Sequence, residues 1–491
     1  MKTQIVVHGY GNIGRSIVEK IKHKGLDFVI SDPIISFCDV ENIFFKFSEK
    51  TDTELTYHFI CLNTDVIDEN WNTNMDSIYE LFDNILTSKR FKNKKNVFYV
   101  ESTVSPEFVD KVYSIFDSHS LTRNVDYTLV ITPERYCENT TVAKRYTEET
   151  NKIFGIDCII VNTVVTNLVS LTKDFYKNIF DEIKLHYTST KLAILSKLAE
   201  NTQRYFHLTA NNAVRKLIDE VTQDTFLTDE VLKLCNTKSN FVEIKPGLIG
   251  GGCIPVDPMF FGKNNDSKIS NMITNCKDFN SMLFWEKINE IKKYINGILK
   301  TITKKRSHDI VNINIKLFGI EFKPNSNSIK HSKYEEYCDI LVDYIKESLM
   351  LKIEIEDLKV NIALDTFRIL DDIVYKYCIY SNTNGKFLSN SNRQNINGSP
   401  NADYTYDILI CGTNQYFMNT NDNLKYFSPI LQQNMFDTSV VSYESVLQTI
   451  YNAPRKKKQK IERTKNGIYK VKGRKSNISM VFIDKLIKGK K

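Results

Sequence analysis

Apolar and polar positions alternate between two periods along this chain. The opening "TQIVVHGYGNIGRSIVEKIKHKGLDFVISDP" (residues 3–33) sets an apolar strand before a glycine turn. Apolar residues at helical spacing follow, then a second apolar strand ending at Asp32. The pattern predicts a βαβ unit. "YHFICLNTD", "NVFYVESTV" and "YTLVITPER" are further strand patterns separated by helical ones, which extends the unit into a doubly wound sheet. From about residue 181 to 305 strand patterns nearly vanish and long amphipathic helical stretches replace them. "NINIKLFGIEF", "KVNIALD" and "YDILICGT" then restart the strand-helix alternation. The fold class expected is α/β: two doubly wound domains, 1–180 and 306–452, joined by a central helical domain, 181–305, with a tail at 453–491.

Composition alters this picture mainly at the end of the chain. A length of 491 residues exceeds what one core accommodates, and 42% hydrophobic with 25% charged residues is ordinary for a globular protein. The ten cysteines include no C-x-x-C pair, so neither a zinc site nor a disulfide framework is expected, and reduced thiols in the cytoplasm fit best. No apolar run approaches a membrane span, and the N-terminal residues reach a glycine turn too early for a signal peptide. The net charge of +7 is concentrated in residues 455–491, which hold 15 basic residues against Glu462 and Asp484, while the rest holds 51 basic and 57 acidic. Such a tail is expected to be solvated and outside catalysis, with "ISMVFIDKLI" its one candidate element. The alternative is attachment to a polyanion such as nucleic acid or an acidic surface. The polar stretch 381–403 reads as an exposed loop.

Three stretches carry candidate chemistry. Gly9, Gly11 and Gly14 supply G-x-G-x-x-G between strand and helix, so a dinucleotide pyrophosphate can sit at the helix N-terminus while Asp32 accepts hydrogen bonds from a ribose. In "NTKSNFVEIKPGLIGGGCIPVDP" (236–258), Gly250, Gly251 and Gly252 lead to Cys253, and Pro255 and Pro258 stiffen the exit. This is either a ligand-accessible loop with a thiol at its tip or a tight turn around a buried cysteine. In "AILSKLAENTQRYFHL", Lys197, Asn201 and Arg204 share one helix face, either as a functional polar stripe or as a solvated one.

Taken in order, "ESTVSP", "PER", "SKLAENTQR", "TKSNF", "KPGLIGGGCIPVDP" and "GIEFKPNSNSIKHSK" resemble the motifs of the UDP-glucose/GDP-mannose dehydrogenase family, most of all its UDP-N-acetylhexosamine 6-dehydrogenase branch. The resemblance runs from the N-terminus to about Tyr416 and leaves the tail outside. It implies Rossmann-like N- and C-terminal domains, a central helical domain that dimerises, and NAD as cofactor. It also implies a UDP-sugar substrate whose C6 alcohol is oxidised to a carboxylate through a thiohemiacetal and a thioester on Cys253. By position, Lys197 and Asn201 would stabilise the anionic oxygen at C6, Asp257 and Glu134 would handle the hydrolytic water, and Thr103 would bind it. Gly9, Gly11, Asn12, Ile13, Gly14, Asp32, Thr64 and Thr103 would contact the cofactor. Glu134, Arg204, Gly250, Gly251, Lys323 and Lys330 would contact the substrate. Lys330 stands where that branch usually has arginine, and a lysine lacks the bidentate fork. A UDP-glucose 6-dehydrogenase, or an inactive scaffold that binds polyanions, are the competing readings.

Overall fold

A computed structural model of the chain describes residues 2–32, 53–64, 75–88, 94–135, 151–157, 167–181, 183–242, 244, 247–262, 268–305, 312–318, 331–352 and 359–365, together with strands at 408–411, 416–418, 440–442, 460–463, 468–472 and 477–482. The chain divides into two compact units, residues 1–204 with 256–273, and residues 205–255 with 274–491.

The first unit is built on a seven-stranded sheet. Its strands are β1 (Thr3–His8), β2 (Val29–Ser31), β3 (Leu55–Ile60), β4 (Lys95–Val100), β5 (Tyr127–Ile131), β6 (Lys152–Ile156) and β7 (Leu185–Thr188), in the order β2-β1-β3-β4-β5-β6-β7. β1 to β5 run parallel, as the alternating pattern predicts, and every residue of β3 and β5 is buried because helices cover both faces. β6 pairs antiparallel with β5, and β7 then runs parallel to β6, carrying the sheet past residue 180. Helices α1 (Asn12–His23), α2 (Asp76–Thr87), α3 (Phe108–Ser118) and α4 (Asn167–Ile179) flank the sheet. α1 buries Ile17, Val18 and Ile21 on one side and places Lys20, Lys22 and His23 in its last turn, where they complement the helix dipole. It ends at Gly25, whose φ of +66° closes the C-terminal turn. One core lies on the α1 and α4 side of the sheet around Phe59, Tyr99 and Tyr176, and a second lies on the α2 and α3 side around Phe82, Phe98 and Phe116.

Long helices follow, as the sequence predicts: α5 (Thr190–Thr222), α6 (Thr225–Cys235), the short α7 (Asp257–Gly262) and α8 (Lys268–Lys305). α5 contributes residues up to Arg204 to the first unit and the remainder to the second. The second unit also contains α9 (Lys333–Lys352) and a six-stranded sheet of β8 (Asn312–Phe318), β9 (Lys359–Asp365), β10 (Ile408–Cys411), β13 (Lys460–Arg463), β14 (Ile468–Lys472) and β15 (Asn477–Phe482). β11 (Tyr416–Met418) and β12 (Val440–Ser442) form a separate antiparallel pair. The sheet order β13-β14-β15-β10-β8-β9 corrects the expectation of a solvated tail. β15 lies parallel to β10, and β14 and β13 extend the sheet from it as an antiparallel ribbon. The physical reason is a two-residue period hidden among lysines. The register sets Ile461, Val471 and Ile478 in one cross-strand row and Lys460, Lys472 and Asn477 in the next, the alternation a strand requires. The stretch 381–403 lies outside the described residues. Among the described residues, no helix is long and apolar enough to cross a membrane.

Candidate active site

The glycine turn after β1 is set by its own packing. Gly9 has φ of +88°, and a Cβ there would lie 2.5 Å from the Cys61 carbonyl oxygen. At Gly14 a Cβ would lie 1.9 Å from the Gly9 carbonyl oxygen. Gly11 differs: it caps α1, and a Cβ built there meets nothing within 4 Å. α1 begins at Asn12 and Ile13, directly after this turn, and the N-terminus of a helix is where an anion is accommodated. Ser16 Oγ donates to the Asn12 carbonyl at 2.8 Å within that first turn, and Ile13 packs against the core. The end of β2 brings Asp32 to the same turn, where its Oδ2 accepts from the Tyr10 amide at 2.7 Å.

The loops leaving β3, β4 and β5 gather the next set. Thr64 Oγ1 donates to the Thr103 carbonyl oxygen at 2.6 Å. Two places before Thr103 in the chain, Glu101 belongs to a buried charged cluster. Lys152 Nζ, on β6, sits 2.5 Å from Glu101 Oε2 and 3.5 Å from Glu134 Oε2. The other oxygen of Glu101 accepts from Thr132 Oγ1 and Tyr176 Oη, each at 2.9 Å. Burial raises the Glu101 carboxyl above its usual range, and Lys152 opposes that shift. Burial likewise pushes the Cys61 thiol well up, with the Glu101 charge adding to it. Glu134 thus has a buried lysine on one side, and its amide donates to the Glu101 carbonyl oxygen at 3.4 Å.

Helix α5 carries the predicted polar stripe, but its members differ in environment. Lys197 is only 6% exposed, Asn201 is half-buried and Arg204 is exposed, so the stripe is not a uniformly solvated face. Asn201 Nδ2 donates to Asp257 Oδ2 at 2.5 Å, and Asp257 is buried at the head of α7. Arg135, next to Glu134, grips Glu200 with Nε at 3.2 and 3.0 Å from its two oxygens and Nη2 at 2.7 Å. Glu200 in turn stands 4.0 Å from Lys197 Nζ.

Within the second unit, the loop that carries Cys253 is anchored at its base. Asn212 on α5 donates through Nδ2 to the Gly247 carbonyl oxygen at 2.9 Å and accepts from the Gly247 amide at 3.0 Å, mimicking a backbone pair. The Gly251 amide donates to the His331 carbonyl oxygen at 3.1 Å, and a Cβ on Gly250 would lie 2.7 Å from that same oxygen. Gly251 takes φ of +93°, which favours glycine. Cys253 itself is an exposed thiol, as the ligand-accessible reading of this loop requires.

The structure thus brings Thr64 to Thr103, Asp32 to the glycine turn and Asn201 to Asp257. Lys323 and Lys330 lie outside the described residues. Lys152, Glu101, Arg135 and Glu200 received no individual role from the sequence. Lys152 lies in none of the motifs, and its partners Glu101 and Glu134 lie 51 and 18 places away along the chain.

The first unit thus combines a glycine turn at the N-terminus of α1 with a helix that presents a buried lysine and an Asn-Asp pair. Residues 191–281 match the central domain of the UDP-glucose/GDP-mannose dehydrogenase family, and the chain carries that family's domain. The UDP-N-acetyl-D-mannosamine dehydrogenase of Methanococcus vannielii is 25% identical over 342 residues, covering 68% of this chain and 72% of that protein. The UDP-N-acetyl-D-glucosamine 6-dehydrogenase of Pseudomonas aeruginosa is 26% identical over 214 residues, 43% of this chain and 45% of that protein. Among solved structures, the UDP-N-acetyl-mannosamine dehydrogenase from S. aureus superposes with a TM-score of 0.55 at 18% identity, over 86% of this chain and 92% of that one, which shows the shared fold.

Proposed function

We propose that this protein is an NAD-dependent nucleotide-sugar 6-dehydrogenase acting on a UDP-N-acetylhexosamine. The observation that carries the proposal is the convergence, within one unit, of the turn after β1, Asp32 after β2, Thr64 after β3, Thr103 after β4 and Glu134 after β5. All lie at the carboxyl ends of parallel strands, where open α/β sheets bind their ligands. Lys197 and the Asn201-Asp257 pair belong to the same unit.

The glycine turn and Asp32 fit a dinucleotide: the first offers helix N–H groups to a pyrophosphate, the second a carboxylate to a ribose. NAD bound there would accept a hydride in each of two oxidations. The chain's own residues do the rest. The Lys197 ammonium and the Asn201 amide stabilise negative charge on the C6 oxygen. The Cys253 thiolate adds to the C6 aldehyde, forming a C–S bond and a thiohemiacetal; loss of hydride leaves a thioester. Thr103 holds the water that attacks it, and Glu134 takes the water's proton. The C–S bond then breaks, releasing the carboxylate and restoring the thiolate. Val214, Leu217 and Val221 make an exposed apolar stripe on α5, which supports the homodimer that the sequence resemblance implies.

Purified protein incubated with NAD or NADP and a panel of UDP-sugars, followed by absorbance of the reduced cofactor, tests this reading. Two equivalents of reduced NAD per sugar and no free aldehyde are expected, and Cys253→Ala should end acid formation while leaving cofactor binding intact. A fully active Cys253→Ala protein would defeat the mechanism. Turnover of UDP-glucose alone would move the assignment to the neighbouring activity.

A further inference from the structure

We propose that Arg135 is a positioning residue that holds the Glu200 carboxylate away from Lys197, leaving the lysine's charge available to the substrate oxygen. This rests on the role given to Lys197 above. Glu200 follows Lys197 by three residues on α5, a spacing that makes side chains neighbours on a helix. In this structure the carboxylate stands 4.0 Å from the ammonium, at the outer limit of an ion pair. The guanidinium of Arg135 explains the separation, because it takes both carboxylate oxygens through Nε and Nη2. A planar fork matches a carboxylate in a way a lysine cannot. The fork is itself aimed from a third point, since Nη1 donates to the Asn151 carbonyl oxygen at 3.4 Å.

Lys197 is buried, so its electrostatic surroundings are weakly screened and a carboxylate closing on it would neutralise it effectively. Arg135 and Glu200 are about one-third exposed, at 33% and 32%, and an ion pair of that kind contributes little to folding. The pair's consequence therefore falls on Lys197, which stands 4.0 Å from Glu200. Arg135 also adjoins Glu134 in the chain, and Glu200 adjoins Asn201. One ion pair thus ties the loop after β5 to the helix that carries Lys197.

The test uses the full chain and three variants: Arg135→Gln, Glu200→Gln and the double variant. Arg135→Gln should lower kcat about tenfold or more, as loss of a charge-stabilising group does, with KM and thermal unfolding little changed. The double variant should regain most of the lost kcat, because without the Glu200 carboxylate nothing remains to be held away. A merely structural strut predicts the opposite, a double variant as slow as Arg135→Gln. Acetylation of Lys197 by limiting acetic anhydride, read by peptide mass mapping, gives a second readout that needs no substrate. Labelling should fall in Arg135→Gln, where Glu200 closes on the ammonium, and recover in the double variant. A wild-type protein inert toward every UDP-sugar, with this labelling pattern intact, would sink the proposed activity and uphold the positioning role. Unchanged kcat or unchanged labelling in Arg135→Gln would overturn the positioning role.

Discussion

The amide of Asn201 and the carboxylate of Asp257 meet at 2.5 Å, joining the α5 polar stripe to the residue four places beyond Cys253 in the chain. The bond aims the Asn201 side chain, whose loss should therefore be felt in catalysis. Asn201→Ala is expected to lower kcat by about 10² to 10³, the usual effect of deleting one donor to a developing oxyanion. Kinetics measured beside a thermal melt decide the matter. A large stability loss at unchanged turnover would make the pair purely structural.

The Lys152 cluster gives an expectation about stability instead. Lys152 is 2% exposed and faces a fully buried Glu101, so Lys152→Met leaves a carboxylate without its counter-ion. Breaking one side of a buried pair costs about 3 to 5 kcal/mol. Urea unfolding should show a loss of that order. A double variant that adds Glu101→Gln should recover much of it, since the stranded charge is then removed as well.

The seven-stranded sheet holds a pH sensor of stability. His8 and His58 face each other on β1 and β3 with Nε2 of His8 3.0 Å from Nδ1 of His58, whose Nε2 lies 3.2 Å from Asn96 Oδ1. With His58 donating to Asn96 Oδ1, its Nδ1 is left to accept from His8. Burial lowers His58 from 6.5 to about 4 and lowers His8 well below its ordinary value. A depressed folded-state pKa means that the unfolded chain takes up the proton first. The His58 contribution is fully present above pH 6.5 and is lost as pH falls toward about 4, a change on the order of 3 kcal/mol. Denaturant midpoints at pH 7 and 4.5 should therefore separate more in the wild type than in His58→Asn. Equal separation would show that the carboxylates alone set the acid response.

Much of this architecture was legible in the sequence because each signal was local. The β1-turn-α1 unit, β8, β9 and the long helices each declare themselves within a single window of apolar periodicity. The charged cluster could not be read that way. Lys152 is buried only because β6 enters the sheet antiparallel to β5, and its meeting with Glu101 joins residues 51 places apart. The Arg135-Glu200 contact spans 65 places, and although both residues lie in motifs that the sequence singled out, no spacing rule joins them. The tail was misread for a different reason. Lysine is so common in this chain that the alternation of Tyr469 and Val471 with Lys470 and Lys472 passed for a charge run.

Removing that tail should matter. A chain ending near Asn452 lacks β15 and so uncovers the edge of β10, which otherwise lies between β15 and β8. An uncovered edge strand pairs readily with other chains. The truncated protein is expected to aggregate or to lose the cooperative unfolding of its second unit, seen by sizing chromatography and thermal melts. A truncated protein that stays monodisperse with an unchanged melt would show that the ribbon is dispensable.

The three glycines of the first turn answer to different selective pressures. A side chain on Gly9 would meet the Cys61 carbonyl and one on Gly14 the Gly9 carbonyl, so a library screened only for a folded product should retain both. Gly11 faces open space, and the same screen should let it drift toward serine or alanine. A screen for turnover should hold all three. The difference between the two survivor sets at this one position would therefore record the footprint of a bound molecule in the genetics of the turn, separately from the demands of the fold.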